Sequence, residues 1–432
     1  MSKKAKDSGV KIYSRDQHPI SRRNISESAL KVLYRLNSCG YEAYLVGGGV
    51  RDLLLGGKPK DFDIATNATP EQVREAFRNC RLIGRRFRLA HVRFGREVIE
   101  VATFRGHGDD GDRSVEDGGR LLRDNIYGDI EEDALRRDFT VNGLYYSIDG
   151  FTVRDEVGGM ADLESRTLRM IGDPDERFPE DPVRCLRAAR FAAKLDFEIE
   201  SKTADGIRQY GQLLDDIPSA RLFDEVLKLF LSGHAERSYL KLREFGLFKY
   251  LFPSTDKLLE SDEGFEKMLR ACFKNTDQRI EQDLPVTPAF LYAVLLWAPM
   301  KRHADRQLER GMSPHDAIHH GADWVLNPAN MRTALPRRFS TPMREIWLLQ
   351  PRLEGKTRAS AKRIMSHPRF RAGYDFLLIR VLQEPLLEPV AERWTEAQEQ
   401  GPEVISRMQH KPRKRRRRRR GRGGPDKAAE AG

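Results

Sequence analysis

Hydrophobic positions recur at helical spacing in some stretches of the chain and alternate in others. Ala29, Leu33 and Leu36 mark a helix behind Asn24-Ile25-Ser26-Glu27, read as a capping box with Asn24 as N-cap, and Gly40 ends the pattern. Residues 41–46 form a short aromatic and β-branched strand broken by Gly47-Gly48-Gly49, and 50–55 look helical. Residues 60–65 alternate strictly, with Asp61 and Asp63 on one face and Phe62 and Ile64 on the other, which predicts a strand. Thr69-Pro70-Glu71-Gln72 opens a further helix, with Val73, Ala76 and Phe77 as its apolar stripe. Residues 90–94 and 98–104 read as strands joined at Gly95-Arg96. From about Asp181 onward helical periodicity dominates, as in Val183, Leu186 and Ala189, then Leu222, Val226, Leu227 and Phe230. The pattern predicts a small α/β unit followed by an all-helical remainder, with no repeat of 20–50 residues.

Residues 1–20 are polar and expected to be loose. Between His107 and Leu121, four glycines and five acids fall within thirteen residues, so that segment is expected to be mobile. With 432 residues and 39% hydrophobic composition the chain can bury real cores, and its length suggests about two to four domains. No run approaches the roughly 18–20 apolar residues of a membrane span. Met1-Ser2-Lys3-Lys4-Ala5-Lys6 lacks the apolar core of a signal peptide. A cytoplasmic protein without a membrane span is expected. Cys39, Cys80, Cys185 and Cys272 show no CxxC spacing, so neither a zinc ribbon nor a disulfide framework is indicated, and four buried thiols are expected.

The formal charge is +11, but it is unevenly placed. Ten of those charges are Lys411, Arg413, Lys414, Arg415, Arg416, Arg417, Arg418, Arg419, Arg420 and Arg422, with no acid among them. A nearly neutral body thus carries a polycationic tail, which would track phosphates without reading sequence, with a steep salt dependence. The alternative for the tail is a disordered, solvated arm serving localisation or solubility.

Asp61 and Asp63, two carboxylates at i and i+2 of a strand, project to the same side. Such a pair repels itself unless it holds a divalent cation or shifts its pKa, and its hard oxygens suit Mg²⁺ shared with substrate phosphates. Upstream, Gly47-Gly48-Gly49-Val50-Arg51-Asp52 is a strand-to-helix turn where phosphates could approach backbone N–H groups, although neither GxxxxGK[ST] nor GxGxxG is present. Together the two elements suggest metal-assisted nucleotidyl transfer. Two residues compete for a third carboxylate: Glu100, an acid in mid-strand, and Asp138, in Arg136-Arg137-Asp138-Phe139-Thr140-Val141-Asn142. The structural alternative for Asp138 is a helix N-cap paired with Arg136 or Arg137.

LVGGGVRD at 45–52, DFD at 61–63, RRDFTVNGL at 136–144 and EDPVR at 180–184 resemble, in that order, the motifs of the class II tRNA nucleotidyltransferase and bacterial poly(A) polymerase family. Asp155 with Gly158-Gly159 and Asp162-Leu163 is similar to that family's head–neck connection, and Arg221-Leu222-Phe223-Asp224-Glu225 to its last motif. The resemblance implies a polymerase-β-like α/β head followed by an all-α neck, body and leg. The expected division is a flexible segment 1–23, a head 24–165, a neck with the base-recognition motif 166–255, an RNA-binding body and leg 256–405, and a disordered Arg-rich tail 406–432. It implies further that Asp61 and Asp63 bind Mg²⁺ and that Gly47, Gly48 and Arg51 lie at the triphosphate. Arg137, Asp138 and Asn142 would serve ribose and triphosphate, and Asp181 and Arg184 the base.

The base assignment agrees with chemistry. Asp181 and Arg184, three apart, would share one helical face, one accepting and the other donating. Adenine offers N6–H₂ beside N1 and cytosine N4–H₂ beside N3. Guanine and uracil present the reverse and would leave buried groups unpaired, at roughly 1–3 kcal/mol each. ATP and CTP are not separated by this pair. Leu82-Ile83-Gly84-Arg85-Arg86-Phe87-Arg88-Leu89-Ala90-His91-Val92 resembles the signature that sets bacterial poly(A) polymerases apart from CCA-adding enzymes. Residues 15–20 and 346–350 are also similar to the polymerases.

His315-Asp316 and His319-His320 lack the other ligands of a phosphohydrolase or zincin site and read as a solvated helix face. Trp324, Trp347 and Trp394 read as packing. The expectation is template-independent transfer of AMP from ATP to RNA 3′ ends with release of pyrophosphate, using Mg²⁺. A monomer is expected, acting in RNA processing with RNA-decay machinery as a candidate partner. The alternatives are a CCA-adding tRNA nucleotidyltransferase and a non-catalytic RNA-binding protein on the same scaffold.

Overall fold

The computed structural model describes residues 9–84, 88–106, 115–116, 120–121, 126–355 and 360–401. The tail 406–432, most of the acidic segment 107–121, and Arg85, Arg86 and Phe87 lie outside the described residues. The described residues form two compact units: those within 1–256 with 273–286 and 328–334, and those within 257–272, 287–327 and 335–432.

The first unit is built on strands β1 (Lys11–Tyr13), β2 (Ala43–Val46), β3 (Asp63–Thr66), β4 (Cys80–Ile83), β5 (Leu89–Phe94) and β6 (Glu97–Thr103). A separate two-stranded ribbon, β7 (Val115–Glu116) and β8 (Arg120–Leu121), precedes β9 (Leu144–Ser147) and β10 (Val153–Asp155). The eight-stranded sheet runs β1-β10-β9-β2-β3-β6-β5-β4, antiparallel except for β3 beside β6. That parallel step needs a crossover, which α3 (Pro70–Ala76), β4 and β5 supply.

Helix α1 (Glu27–Ser38) buries Ala29, Val32, Leu33 and Leu36, its apolar positions at helical spacing. On the sheet, Val46, Ala65 and Tyr145 pack with Phe104 and with Ile130 and Ala134 of α4 (Ile130–Leu135). Helix α2 (Gly48–Leu54) follows β2, and α5 (Gly159–Glu164) leads to α6 (Pro174–Glu180), α7 (Val183–Leu195), α8 (Ser201–Tyr210) and α9 (Ser219–Phe230). The α/β head with a helical remainder is the fold class expected.

Several local expectations need correction. Helix α1 is capped by Ser26, whose Oγ accepts from Ala29 N–H, because Asn24 closes a 3₁₀ turn in which its own N–H bonds to Ser21 O. Strand β3 starts at Asp63, the partner of Val46, where β2 ends; beyond Val46 the chain turns at Gly47 (φ 67°), so Asp61 and Phe62 have no ladder to join. Phe62 is nevertheless buried and Asp61 exposed, so the alternation of faces stands. Residues 11–20 are ordered: β1 pairs with β10, Ile20 is buried, and buried His18 bonds through Nε2 to Phe151 O at 2.8 Å. A polar composition concealed this because main-chain pairing carries the contact. Cys185 and Cys272 are buried, but Cys39 is exposed and Cys80 half-buried, since Cys39 is the C-cap of α1.

The second unit packs helices Pro288–Leu295, Trp297–Glu309, Pro314–Val325, Arg337–Leu353, Phe370–Arg380 and Glu388–Gln400. Trp347 and Trp394 are core residues, with indole N–H groups donating to Ala293 O at 3.0 Å and Leu353 O at 2.8 Å. His303 and Trp324 stack at 4.9 Å between ring centres, and no group of three His, Cys, Asp or Glu that could hold a metal occurs among the described residues.

Candidate active site

The carboxylates sit where β2 ends, β3 begins and the middle of β6 runs alongside. Asp63 opens β3, facing Val46 of β2 and Glu100 of β6 in register. Glu100 in turn faces His91 of β5, with Nε2 to Oε2 at 3.3 Å. Asp63 lies on the exposed face of its strand, yet desolvation of its carboxyl by the surrounding protein pushes it up to about 6, and the charges of Glu100 and Asp61 push the same way against the pull of Arg137. Three acids thus crowd one face with too little cation, and their hard oxygens suit a divalent ion whose remaining ligands come from substrate phosphates. Asp61 and Asp63 could hold it.

Three consecutive glycines bring this edge against two arginines. A Cβ on Gly47 would lie 3.6 Å from Arg137 Nη1, one on Gly48 3.3 Å from Arg51 Nη2, and one on Gly49 3.3 Å from Asp61 O. Arg137 is aimed by Asp133, which accepts from its Nη2 at 2.9 Å, and by Tyr145, whose hydroxyl accepts from Nε at 2.8 Å and donates to Asp133 at 2.7 Å. Arg51, expected at the triphosphate, is fully buried and donates to Asp52 at 2.6 Å and to Asn142 Oδ1 at 2.6 Å.

Asp138 is engaged elsewhere. Its Oδ1 accepts from Phe139 N–H at 2.8 Å and Asn142 Nδ2 at 3.1 Å, and its Oδ2 accepts from Arg187 Nε at 2.8 Å. Burial alone would raise its pKa, but Arg187 and these hydrogen bonds hold it below the usual carboxylate value. The pairing with Arg136 or Arg137 does not occur; Arg187 of α7 takes that place. Asn142 links the two halves, receiving Arg51 and donating to Asp138.

Asp181 and Arg184 do not share a helical face. Asp181 ends α6 with φ −147°, Pro182 follows, and Arg184 lies in the first turn of α7. Proline cannot continue the backbone hydrogen-bond pattern, so the helix breaks between them. Asp181 Oδ2 accepts from Arg221 at 2.7 Å, and Arg184 donates to Glu180 at 2.7 Å. The two side chains remain neighbours in sequence on a kinked junction, each already paired. Arg187, Tyr145 and Asp133 also belong to the site, and His91 joins it through Glu100. Arg187 had a signal: it lies three residues beyond Arg184, a second charge on a helix otherwise buried at that level.

Three family models match: the poly A polymerase head domain over residues 43–169, the probable RNA and SrmB-binding site of polymerase A over 196–259, and the polymerase A arginine-rich C-terminus over 310–424. Poly(A) polymerase I of Salmonella typhimurium is 53% identical over 401 residues, covering 90% of this chain and 86% of that protein. The CC-adding tRNA nucleotidyltransferase of Halalkalibacterium halodurans is 35% identical over 228 residues, 53% of this chain and 55% of that protein. The crystal structure of the Bacillus stearothermophilus CCA-adding enzyme in complex with CTP matches with a TM-score of 0.58 and 26% identity, over 87% of this chain and 83% of that one. On this likeness, which runs from the head through the arginine-rich C-terminus, the chain belongs to the poly(A) polymerase family.

Proposed function

We propose that this chain adds AMP from ATP to RNA 3′ ends without a nucleic-acid template, releasing pyrophosphate. The observation that carries the reading is the crowd formed by Asp61, Asp63 and Glu100 beside the guanidinium of Arg137. Mg²⁺ at Asp61 and Asp63, with a second ion in the two-metal form of the reaction, would activate the 3′-hydroxyl and neutralise the leaving pyrophosphate. Arg137, braced by Asp133 and Tyr145, binds the triphosphate beside Gly47 and Gly48. Arg51 acts through Asn142, which with Asp138 forms the ribose-side wall. Asp181 and Arg184 read the base by accepting and donating, and each must give up part of its present pairing to do so. We assign Glu100 as the third carboxylate, because it faces Asp63 while Asp138 is neutralised by Arg187.

The proposed division keeps 24–165 as catalytic head, 166–255 as neck and 256–405 as RNA-binding body and leg. The enzyme would work in the cytoplasm in RNA processing and decay, with a decay complex as partner. Incubation with ATP, Mg²⁺ and a transcript unrelated to tRNA tests the reading, and long A tracts are expected. Product formed only on tRNA lacking CCA, with CTP consumed, would overturn it in favour of CCA addition. Incorporation of neither ATP nor CTP would leave a non-catalytic RNA binder.

A further inference from the structure

We propose that Arg177 is a positioning residue that couples base reading to the triphosphate-binding segment. The proposal rests on the functional reading above and deepens it. Arg177 lies in the last turn of α6 and belongs to no carboxylate or base-reading motif. Its Nη2 donates to two main-chain carbonyls at once, Arg136 O at 2.8 Å and Arg137 O at 2.9 Å. Its Nη1 donates to Glu180 at 2.6 Å. Arg184 closes the figure, donating from Nη1 to the carbonyl of Arg177 at 2.6 Å and to the same Glu180 carboxylate at 2.7 Å. One residue therefore holds the candidate base reader with its main chain and the candidate triphosphate segment with its side chain. Gly172 packs against the Arg177 side chain and has φ 81°, a backbone conformation that favours glycine.

The arrangement is a poor device for stability alone. Arg177 is largely buried, with 12% of its side chain exposed, and its Nε–H has no acceptor among the described residues. Arg136 and Arg184 add like charge around it, and one carboxylate, Glu180, serves both Arg177 and Arg184. An uncompensated buried donor and clustered cations oppose folding, where an apolar side chain would not. What the arrangement provides is a fixed distance between the guanidinium that reads the base and the backbone that carries Arg137 and Asp138. A base that fits Arg184 is then presented with its triphosphate in register, and one that displaces Arg184 disturbs both.

The test is steady-state nucleotide addition by the full chain on a non-tRNA primer in Mg²⁺, with ATP and separately with GTP. In Arg177→Ala, KM for ATP is expected to rise about tenfold, as one lost charge-assisted hydrogen bond allows. The GTP-to-ATP ratio of kcat/KM should rise about tenfold as well, while kcat for ATP stays within about threefold. Arg177→Lys, which can still donate to both carbonyls, should recover most of both effects. A merely structural brace would lower the melting temperature and the active fraction but leave KM and the ratio alone, and that result would overturn the proposal. Should Arg177→Ala not fold, Glu180→Gln serves: its side chain is 53% exposed, and it should shift KM and the ratio the same way by a smaller factor. An unchanged Glu180→Gln would then overturn the proposal. A wild-type enzyme that adds no AMP overturns the functional reading; an active one with unchanged variants overturns this coupling alone.

Discussion

Asp63 and Glu100 stand directly opposite one another on the parallel strands β3 and β6, beside the point where β2 ends and Gly47 turns the chain. Desolvation of its carboxyl, then repulsion from Glu100 and from Asp61, gives Asp63 a folded-state pKa of about 6 against an ordinary 3.8. A carboxyl raised in this way favours the fold while protonated and loses that contribution as pH rises from about 4 through 6. Asp63→Asn should therefore abolish AMP transfer, retain RNA binding, and stabilise the metal-free protein. Its melting temperature in chelator should exceed that of wild type at pH 7.5, and the gap should close as pH falls toward 4. A gap of equal size at both ends would contradict the crowding.

The same shift predicts how magnesium dependence moves with pH. Only the carboxylate form of Asp63 offers oxygens to a cation, so protons compete with metal below about pH 6. The Mg²⁺ concentration giving half-maximal transfer should be nearly constant from pH 7 to 8. It should rise by up to about tenfold per unit below 6. Titrations at several pH values at saturating ATP and primer measure this directly.

Glu100 and Asp138 can be told apart by which kinetic constant each controls. Glu100→Gln should lower kcat by about a hundredfold or more, with KM for ATP within about threefold, as expected for a group acting only in the transition state. Removing its charge should also bring the acid limb of the magnesium dependence to lower pH. Asp138→Asn should instead raise KM for ATP and cost about 2 kcal/mol of stability, because Arg187 loses its carboxylate. Reversal of the two patterns would make Asp138 the third carboxylate.

The parts of this site that could be read from sequence are those fixed by local periodicity. Asp61 and Asp63 share a face because side chains alternate in extended backbone, even though Asp61 falls outside the ladder. The turn at 47–49 was legible because three glycines have few other uses between a strand and a helix. Partners across long sequence separations were not. Nothing in RRDFT indicates that Asp138 will choose Arg187, forty-nine residues on, over the arginines beside it. Asp181 and Arg184 show the opposite error: their spacing fits a helix, but Pro182 between them ends one helix and begins the next. Asn24 and Ser26 are both good caps, and only the 3₁₀ turn at 22–24 decides between them. The edge strand at Lys11–Tyr13 is held by backbone pairing that side-chain composition does not report.

The charge of the chain leads to the last prediction. Ten of its eleven net positive charges lie between Lys411 and Arg422, so the remainder of the protein has little net attraction for RNA. Each phosphate neutralised on a single strand contributes about 0.7 to the slope of log affinity against log salt. If half the tail cations engage, truncation after Gly401 should lower that slope by about 3 to 4, measured by RNA binding between 50 and 200 mM salt. Affinity should fall most at low salt, and the truncated and full-length chains should converge as salt rises. At saturating primer, kcat should stay within about twofold, since Asp61, Asp63 and Glu100 all lie in the first unit. An unchanged slope would mean that the RNA is gripped by the neutral body and that the tail serves another purpose.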